Sequence, residues 1–307
     1  MLIRKDFEKI QKITGFNLEL LEKTYHLTRI LNEIQKNLIL KESLTLKGGT
    51  ALNFIYLDVP RLSIDMDFDF TKHNTKEEMI KQREIIEREI KEIASKLNYN
   101  LKDRGSSYII SRQSLQYQTI RNTKDHIKIE INYLNRTPLS KREEKEFSSI
   151  FPDIQKFKVI TYPIEELIAQ KAIACLNRYE PRDLYDLQML SKQKISIEKT
   201  RVFAAIYLCI SANNKTDISK IKDFNIIKIK QELQQFIRNN EGINPDMIRD
   251  EALLFLEEIL KFDKKQKKFI DTFFNEKKII AELIDVDKKK ILQHPALFHK
   301  LRDKKHI

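Results

Sequence analysis

The spacing of apolar and polar positions changes along the chain, and each change marks an element. Leu20, Leu27, Ile30, Leu31, Ile34 and Leu38 recur at helical spacing, so the first forty residues read as helices. A short apolar run over residues 44–46 then meets Lys47-Gly48-Gly49-Thr50, and residues 51–57 regain helical character. That is strand, glycine turn, helix. After Pro60 the segment RLSIDMDFDF switches to period two. Ile64, Met66, Phe68 and Phe70 share one face; Ser63, Asp65, Asp67 and Asp69 share the other.

A long charged helix is expected over residues 75–97. Alternating segments follow at 99–102, 107–112, 115–121 and 126–133, with turn residues Asp103, Gly105, Asn122 and Asp125 between them. These predict antiparallel hairpins, with one more strand at 157–161. From Pro163 onward the pattern is helical almost throughout, broken near Pro181, Asn213-Asn214, residues 239–245 and Pro295. The predicted class is α+β: a mixed-sheet domain over residues 1–160 and a helical domain over 161–307.

Composition narrows the class. The 57 Lys+Arg against 45 Asp+Glu give a net charge of +12, which fits either a solvated helical surface or attraction to a polyanion such as nucleic acid or NTP. Cys175 and Cys209 sit in apolar helical contexts and build neither a disulfide framework nor a zinc site. The six histidines, His26, His73, His126, His294, His299 and His306, lack ligand spacing, and no GxxxxGK[ST] phosphate loop occurs. The opening MLIRKDFEKI has no apolar signal-peptide core, and the longest apolar stretch, near residues 202–212, is too short for a bilayer. A cytoplasmic location without membrane contact is the expectation.

Two neighbouring features carry the chemistry. Without side chains at Gly48 and Gly49, a phosphate can approach backbone amides at a helix start, where Thr50 adds a hydroxyl. Asp65 and Asp67 on one strand face can converge on a hard cation such as magnesium. Three acidic side chains on one face repel each other unless something neutralises them, and that cost points to a site. Glu130 in HIKIEINY is either the third carboxylate, if its strand lies beside that of Asp65, or a surface residue on an edge strand. In the segment ELIAQKAIACLNRYEPRDLYDL, Lys171 lies on or beside the apolar stripe, either snorkelling or reaching a phosphate. Asp183 could cap the helix after Pro181, and Arg182 could pair with it on the surface.

The blocks LKGGTAL, PRLSIDMDFDF, KIEINY and AQKAIACLNRYEPRDLYDL, with the ending KKKILQHPALFHKL, resemble the AbiEii/AbiGii toxin family, which includes the MenT toxins. The resemblance runs from about residue 40 to the end. It implies a DNA-polymerase-β-like nucleotidyltransferase domain followed by a helical bundle. It implies the toxin of a type IV toxin–antitoxin system linked to abortive infection and phage defence. The reaction would transfer NMP from an NTP to the 3′ end of tRNA or another RNA, with Mg2+ or Mn2+. A separate antitoxin of the AbiEi-like winged-helix kind is the implied partner. By this resemblance Gly48, Gly49 and Thr50 bind phosphate, and Asp65, Asp67 and Glu130 bind metal and serve catalysis. Lys171 and Asp186 come from the second domain to bind the nucleotide, Lys171 also serving catalysis, with Lys47 and Arg61 beside the triphosphate. The wider nucleotidyltransferase superfamily often holds Asp at the position of Glu130.

Two other classes compete. A restriction-type metal nuclease would pair its Glu with a Lys two residues on, where this chain has Asn132. A non-catalytic nucleic-acid binder accounts for the charge of +12 but not for an acidic strand.

Overall fold

The structure is a computed structural model that describes residues 1–72, 75–211 and 217–302. His73, His306 and the break expected at Asn213-Asn214 lie outside the described residues. The chain divides into two compact units. One holds residues 1–136, 142–161 and 234–242; the other holds 137–141, 162–233 and 243–307.

The first unit contains a seven-stranded mixed sheet. Its strands are β1 (Leu44–Lys47), β2 (Asp65–Phe70), β3 (Asn100–Asp103), β4 (Ile110–Gln118), β5 (Lys124–Asn132), β6 (Glu143–Phe147) and β7 (Phe157–Thr161). The order across the sheet is β3-β4-β5-β2-β1-β7-β6. β2 lies at the centre, antiparallel to β1 and parallel to β5. Period two explains the burial: Met66, Phe68 and Phe70 of β2 and Ile127, Ile129 and Ile131 of β5 are all buried.

Helix Leu18–Lys36 packs on β5 and β7. Asn17 caps it, its side-chain oxygen accepting from the amides of Glu19 at 2.9 Å and Leu20 at 3.2 Å. Leu27, Ile30, Leu31 and Ile34 form its buried stripe. Helix Lys76–Lys96 buries Met79, Ile86, Ile90 and Ile93 at the same helical spacing.

Residues 107–112 and 115–121, expected as two strands, form the single strand β4, because β5 pairs with it continuously from Ile110 to Gln118. β6 (EEKEF) escapes sequence reading: it is an edge strand rich in charge, paired only with β7. Residues 234–242, expected in the helical region, belong to the sheet unit. The Leu62 amide donates to the Phe236 carbonyl at 2.8 Å, and the Arg238 guanidinium lies 5.1 Å from the Phe16 ring centre.

The His26 ring stacks on Tyr117 at 3.8 Å, with Nδ1 2.6 Å from the Tyr99 hydroxyl. Burial, with the Arg29 charge beside it, lowers its pKa from 6.5 to about 3. Between those values the unfolded chain binds a proton that the folded one refuses, so stability falls as pH drops through this range. The loss at pH 5 is about 2 kcal/mol. Denaturant titrations at pH 7 and pH 5 should show this fall in the wild type and a shallower one in His26→Phe. An equal fall in both proteins would contradict the assignment.

In the described residues of the second unit every regular element is a helix, the longest being Ile164–Arg178 and Pro245–Ile259. Cys175 and Cys209 are free and buried, and burial raises both thiol pKa values. Residues 137–141 join this unit through Glu166, whose carboxylate accepts from the Leu139 and Ser140 amides at 2.9 Å each. The Tyr207 hydroxyl donates to the same carboxylate at 2.9 Å. Among the described residues no helix is long and apolar enough to cross a membrane.

Candidate active site

β1 runs directly into the helical turn Gly48–Ala51, which continues as a π-helical stretch, Leu52–Tyr56. Gly48 has φ +70°, and a Cβ there would lie 2.5 Å from Asp67 Oδ2. A Cβ on Gly49 would lie 2.7 Å from Arg61 Nη2 and 3.1 Å from Ser63 Oγ. The two glycines therefore answer two different demands. The first lets the backbone turn against the Asp67 carboxylate; the second leaves room for a guanidinium.

The return to β2 is strained. Asp58 and the β-branched Val59 take φ of 52° and 55° just before Pro60. Hydrogen bonds hold this bend in place. The Val59 amide donates to the Asn53 carbonyl at 2.8 Å, and Asn53 Nδ2 donates to the Gly49 carbonyl at 2.9 Å. The bend brings buried Arg61 back over the glycine turn, where its Nη1 donates to the Leu62 carbonyl at 2.9 Å.

Thr50 differs from expectation. Its side chain is buried, and its hydroxyl donates to the Asp65 carbonyl at 2.6 Å, with Ser63 Oγ at 3.0 Å. The hydroxyl thus ties the glycine helix to the start of β2 instead of standing free for a phosphate, because the turn and the strand meet too closely to leave it exposed.

Strand register aligns the charges. Asp67 stands opposite Lys47 on one side and Glu130 on the other, and Glu130 stands opposite Arg112. Asp65 stands opposite Lys128. Glu130 is therefore on the strand next to the aspartates, but its Oε2 lies 2.8 Å from Arg112 Nε. Among the described residues no three His, Cys, Asp or Glu side chains group as a ready metal site. The expected trio of Asp65, Asp67 and Glu130 is not gathered: neighbouring carboxylates repel, and Glu130 turns to the nearest guanidinium.

Asp69, which sequence reading left without a role, is fully buried and takes Lys47 Nζ at 2.6 Å and Asn135 Nδ2 at 2.7 Å. Burial opposes the charge on Lys47, but the carboxylates of Asp69, Asp67 and Glu130 outweigh it and raise the lysine pKa. Lys47 therefore keeps its proton beside the turn. Asn132 spends its side-chain oxygen on the amides of Leu134 at 2.8 Å and Asn135 at 3.0 Å, a turn role rather than a nuclease lysine's.

The helical unit holds a second ionic cluster. Lys171 Nζ lies 2.8 Å from both Asp183 Oδ1 and Asp186 Oδ2, all three side chains being buried. Arg178 grips Asp183 with two bonds, Nε at 2.6 Å and Nη2 at 2.8 Å. The three cluster carboxylate and ammonium positions sit on helices Ile164–Arg178 and Pro181–Ser191, joined at Tyr179 in the left-handed region with φ 52°. Burial works against the charged form of Asp183, but Lys171 and Arg178 outweigh it and lower its pKa. Asp183 is thus neither a helix cap nor a surface partner: Glu180 occupies the cap position.

The sequence model of the family described as "Nucleotidyl transferase AbiEii toxin, Type IV TA system" matches residues 29–276, most of the chain. The chain belongs to the AbiEii toxin family. It is a nucleotidyltransferase, the toxin of a type IV toxin–antitoxin system, and such a system supplies an antitoxin partner. Solved structures carry the same fold. MenT4, a nucleotidyltransferase toxin of Mycobacterium tuberculosis H37Rv, is 13% identical with a TM-score of 0.67, over 90% of this chain and 97% of that one. JHP933 of Helicobacter pylori is 19% identical with a TM-score of 0.52, over 86% and 100%. A putative nucleotidyltransferase of H. pylori is 23% identical with a TM-score of 0.51, over 80% and 97%. No curated protein matches.

For an AbiEii toxin the close approach of the Gly48 backbone to Asp67 has a direct consequence. Gly48→Ala adds a Cβ that meets Asp67 Oδ2 at 2.5 Å in a backbone region hostile to L residues. Either the turn or the carboxylate must move, and a displacement of about 1 Å costs on the order of 100-fold in rate. NMP-transfer kinetics of Gly48→Ala should show that loss in kcat. Wild-type kcat would mean that the turn and the carboxylate do not work together.

Proposed function

We propose that this nucleotidyltransferase moves NMP from an NTP to RNA, with the 3′ end of tRNA as acceptor, and that Asp65 and Asp67 hold magnesium, or manganese, for the reaction. The observation that carries the reading is the close approach of the Gly48 backbone to Asp67, where a Cβ would lie 2.5 Å from Oδ2. It puts amides suited to phosphate against a carboxylate suited to a hard cation.

The donor set fits the ion. Magnesium is usually held by one or two carboxylates plus substrate phosphates and water, so Asp65 and Asp67 suffice without a third protein ligand. Bound there, the cation supplies charge neutralisation at the phosphates and favours the ionised form of an attacking hydroxyl. The chain's own residues do the rest. The Gly48–Gly49 backbone cradles the phosphates, and Lys47 and Arg61 bring positive charge to them. Thr50 fixes Asp65 through its carbonyl. Arg112 holds Glu130 beside Asp67, where Glu130 orients the acceptor. In the helical unit, taken by itself, Asp183 and Asp186 fix the position of the buried Lys171 ammonium.

In the step itself the acceptor hydroxyl oxygen bonds to the α phosphorus. The bond from that phosphorus to the bridging oxygen breaks, the hydroxyl proton is lost to solvent, and pyrophosphate leaves. Acceptor identity is tested with tRNA whose 3′ terminal diol has been oxidised with periodate. Intact tRNA should take label from an α-labelled NTP, and oxidised tRNA should take none. Equal labelling of both would place the acceptor elsewhere. The antitoxin is proposed to be a separate winged-helix protein acting in the cytoplasm.

A further inference from the structure

Helix Lys264–Asn275 of the helical unit buries Gln266, Phe269, Ile270, Thr272 and Phe273. The rest of its first two turns is Lys264, Lys265, Lys267 and Lys268, all exposed. None of the four has an ion-pair or hydrogen-bonding side-chain partner among the described residues. This arrangement works against the helix. Cations near a helix start oppose its dipole, and lysines three and four apart repel each other. The helix forms because Asp263 and Gln266 close a capping box, with bonds of 2.8 and 3.0 Å, and because the phenylalanines are buried. Among the described residues none of the four ammonium groups forms an ion pair, and Asp271 is the only acidic residue on the helix itself.

We infer that these four lysines form a docking surface for the phosphate backbone of the acceptor RNA. The inference rests on the reading of RNA as acceptor. Four ammonium groups close together on one helix complement a polyanion, and no arginine occurs between Arg249 and Arg302, so the surface offers point charges instead of planar forks. Lysine is a mobile point charge suited to phosphates in any register. Residues 264–268 include no aromatic side chain on which a base could stack, so the surface reads charge and not sequence. It positions the RNA and takes no part in the chemistry.

The test uses the full chain, fluorescently labelled unfractionated tRNA and a series of salt concentrations. In one variant all four lysines become glutamine (Lys264→Gln, Lys265→Gln, Lys267→Gln, Lys268→Gln); in a second all four become arginine. Each lysine-to-phosphate contact contributes about 0.7–0.9 to the slope of log affinity against log salt. The glutamine variant should lose about three units of slope and bind tRNA at least about tenfold more weakly. It should raise KM for tRNA, leave KM for NTP and kcat unchanged, and melt no lower than wild type. The arginine variant should bind as wild type does. Unchanged affinity and slope in the glutamine variant overturn the inference while leaving nucleotidyl transfer to RNA standing. Binding that depends on the lysines, without any labelling of RNA by the wild type, supports the docking surface as charge and refutes the acceptor reading. Loss of antitoxin binding with tRNA binding intact overturns the inference in favour of a protein partner.

Discussion

Alanine at Asp67 removes nucleotidyl transfer while the protein stays folded. Asp67 is the carboxylate that a Cβ on Gly48 would strike, and it stands opposite both Lys47 and Glu130. Its loss takes away a cation ligand at the point where the phosphates approach. A loss of about 4 kcal/mol of transition-state stabilisation corresponds to a rate reduction of about 1,000-fold. Stability should change little: Asp65, Asp67 and Asp69 share one strand face, so removing one charge relieves repulsion, while Lys47 loses one of the carboxylates that favour its charge. The measurement is single-turnover NMP transfer by Asp67→Ala and Asp67→Asn, with thermal melting beside it. Activity within tenfold of wild type, or a collapse in melting temperature, would separate Asp67 from the chemistry.

Lys171→Met should destabilise the helical unit by about 3–5 kcal/mol, because it leaves a buried carboxylate without its ammonium. Asp183 retains Arg178, but Asp186 loses a cation held at 2.8 Å while fully buried. The deficit has a pH signature. A buried carboxylate that loses a neighbouring cation takes a proton more readily than one that keeps it, so the gap between variant and wild type should narrow as pH falls. The double variant Lys171→Met/Asp186→Leu replaces the pair with apolar groups and should recover much of the loss. Denaturant titration at two pH values measures all of this. A Lys171→Met protein as stable as wild type would show that the cluster does not hold the two helices together.

The parts of the site that lie within one short segment were legible in the sequence. The strand, the glycine turn and the period-two acidic strand announce themselves within residues 44–70, because each follows from local spacing. The adjacency of β2 and β5 was legible as a condition, and the parallel pairing of Asp67 with Glu130 meets it. What stayed hidden depends on partners distant in sequence. Nothing around Glu130 reveals that Arg112 would pair with its carboxylate, since that follows from the β4–β5 register. Asp69 read like its two neighbours, yet only it is buried, against Lys47 and Asn135. The exchange of residues 137–141 and 234–242 between the units hangs on Glu166 accepting two amides and on Leu62 meeting Phe236. No periodicity records such bonds. The glycine turn could be read as a phosphate site from local spacing, but no spacing shows that a Cβ at Gly48 would lie 2.5 Å from Asp67 Oδ2.

The central claim is that the glycine turn and the aspartate pair together move the α phosphate of an NTP onto RNA. Purified protein with magnesium, total tRNA and each NTP in turn, labelled at the α or the γ phosphate, tests it directly against an Asp65→Ala/Asp67→Ala control. The account predicts α label on RNA, no γ label, and neither in the control. RNA that takes γ label, keeps its α label in the control, or is cut instead of extended would contradict it.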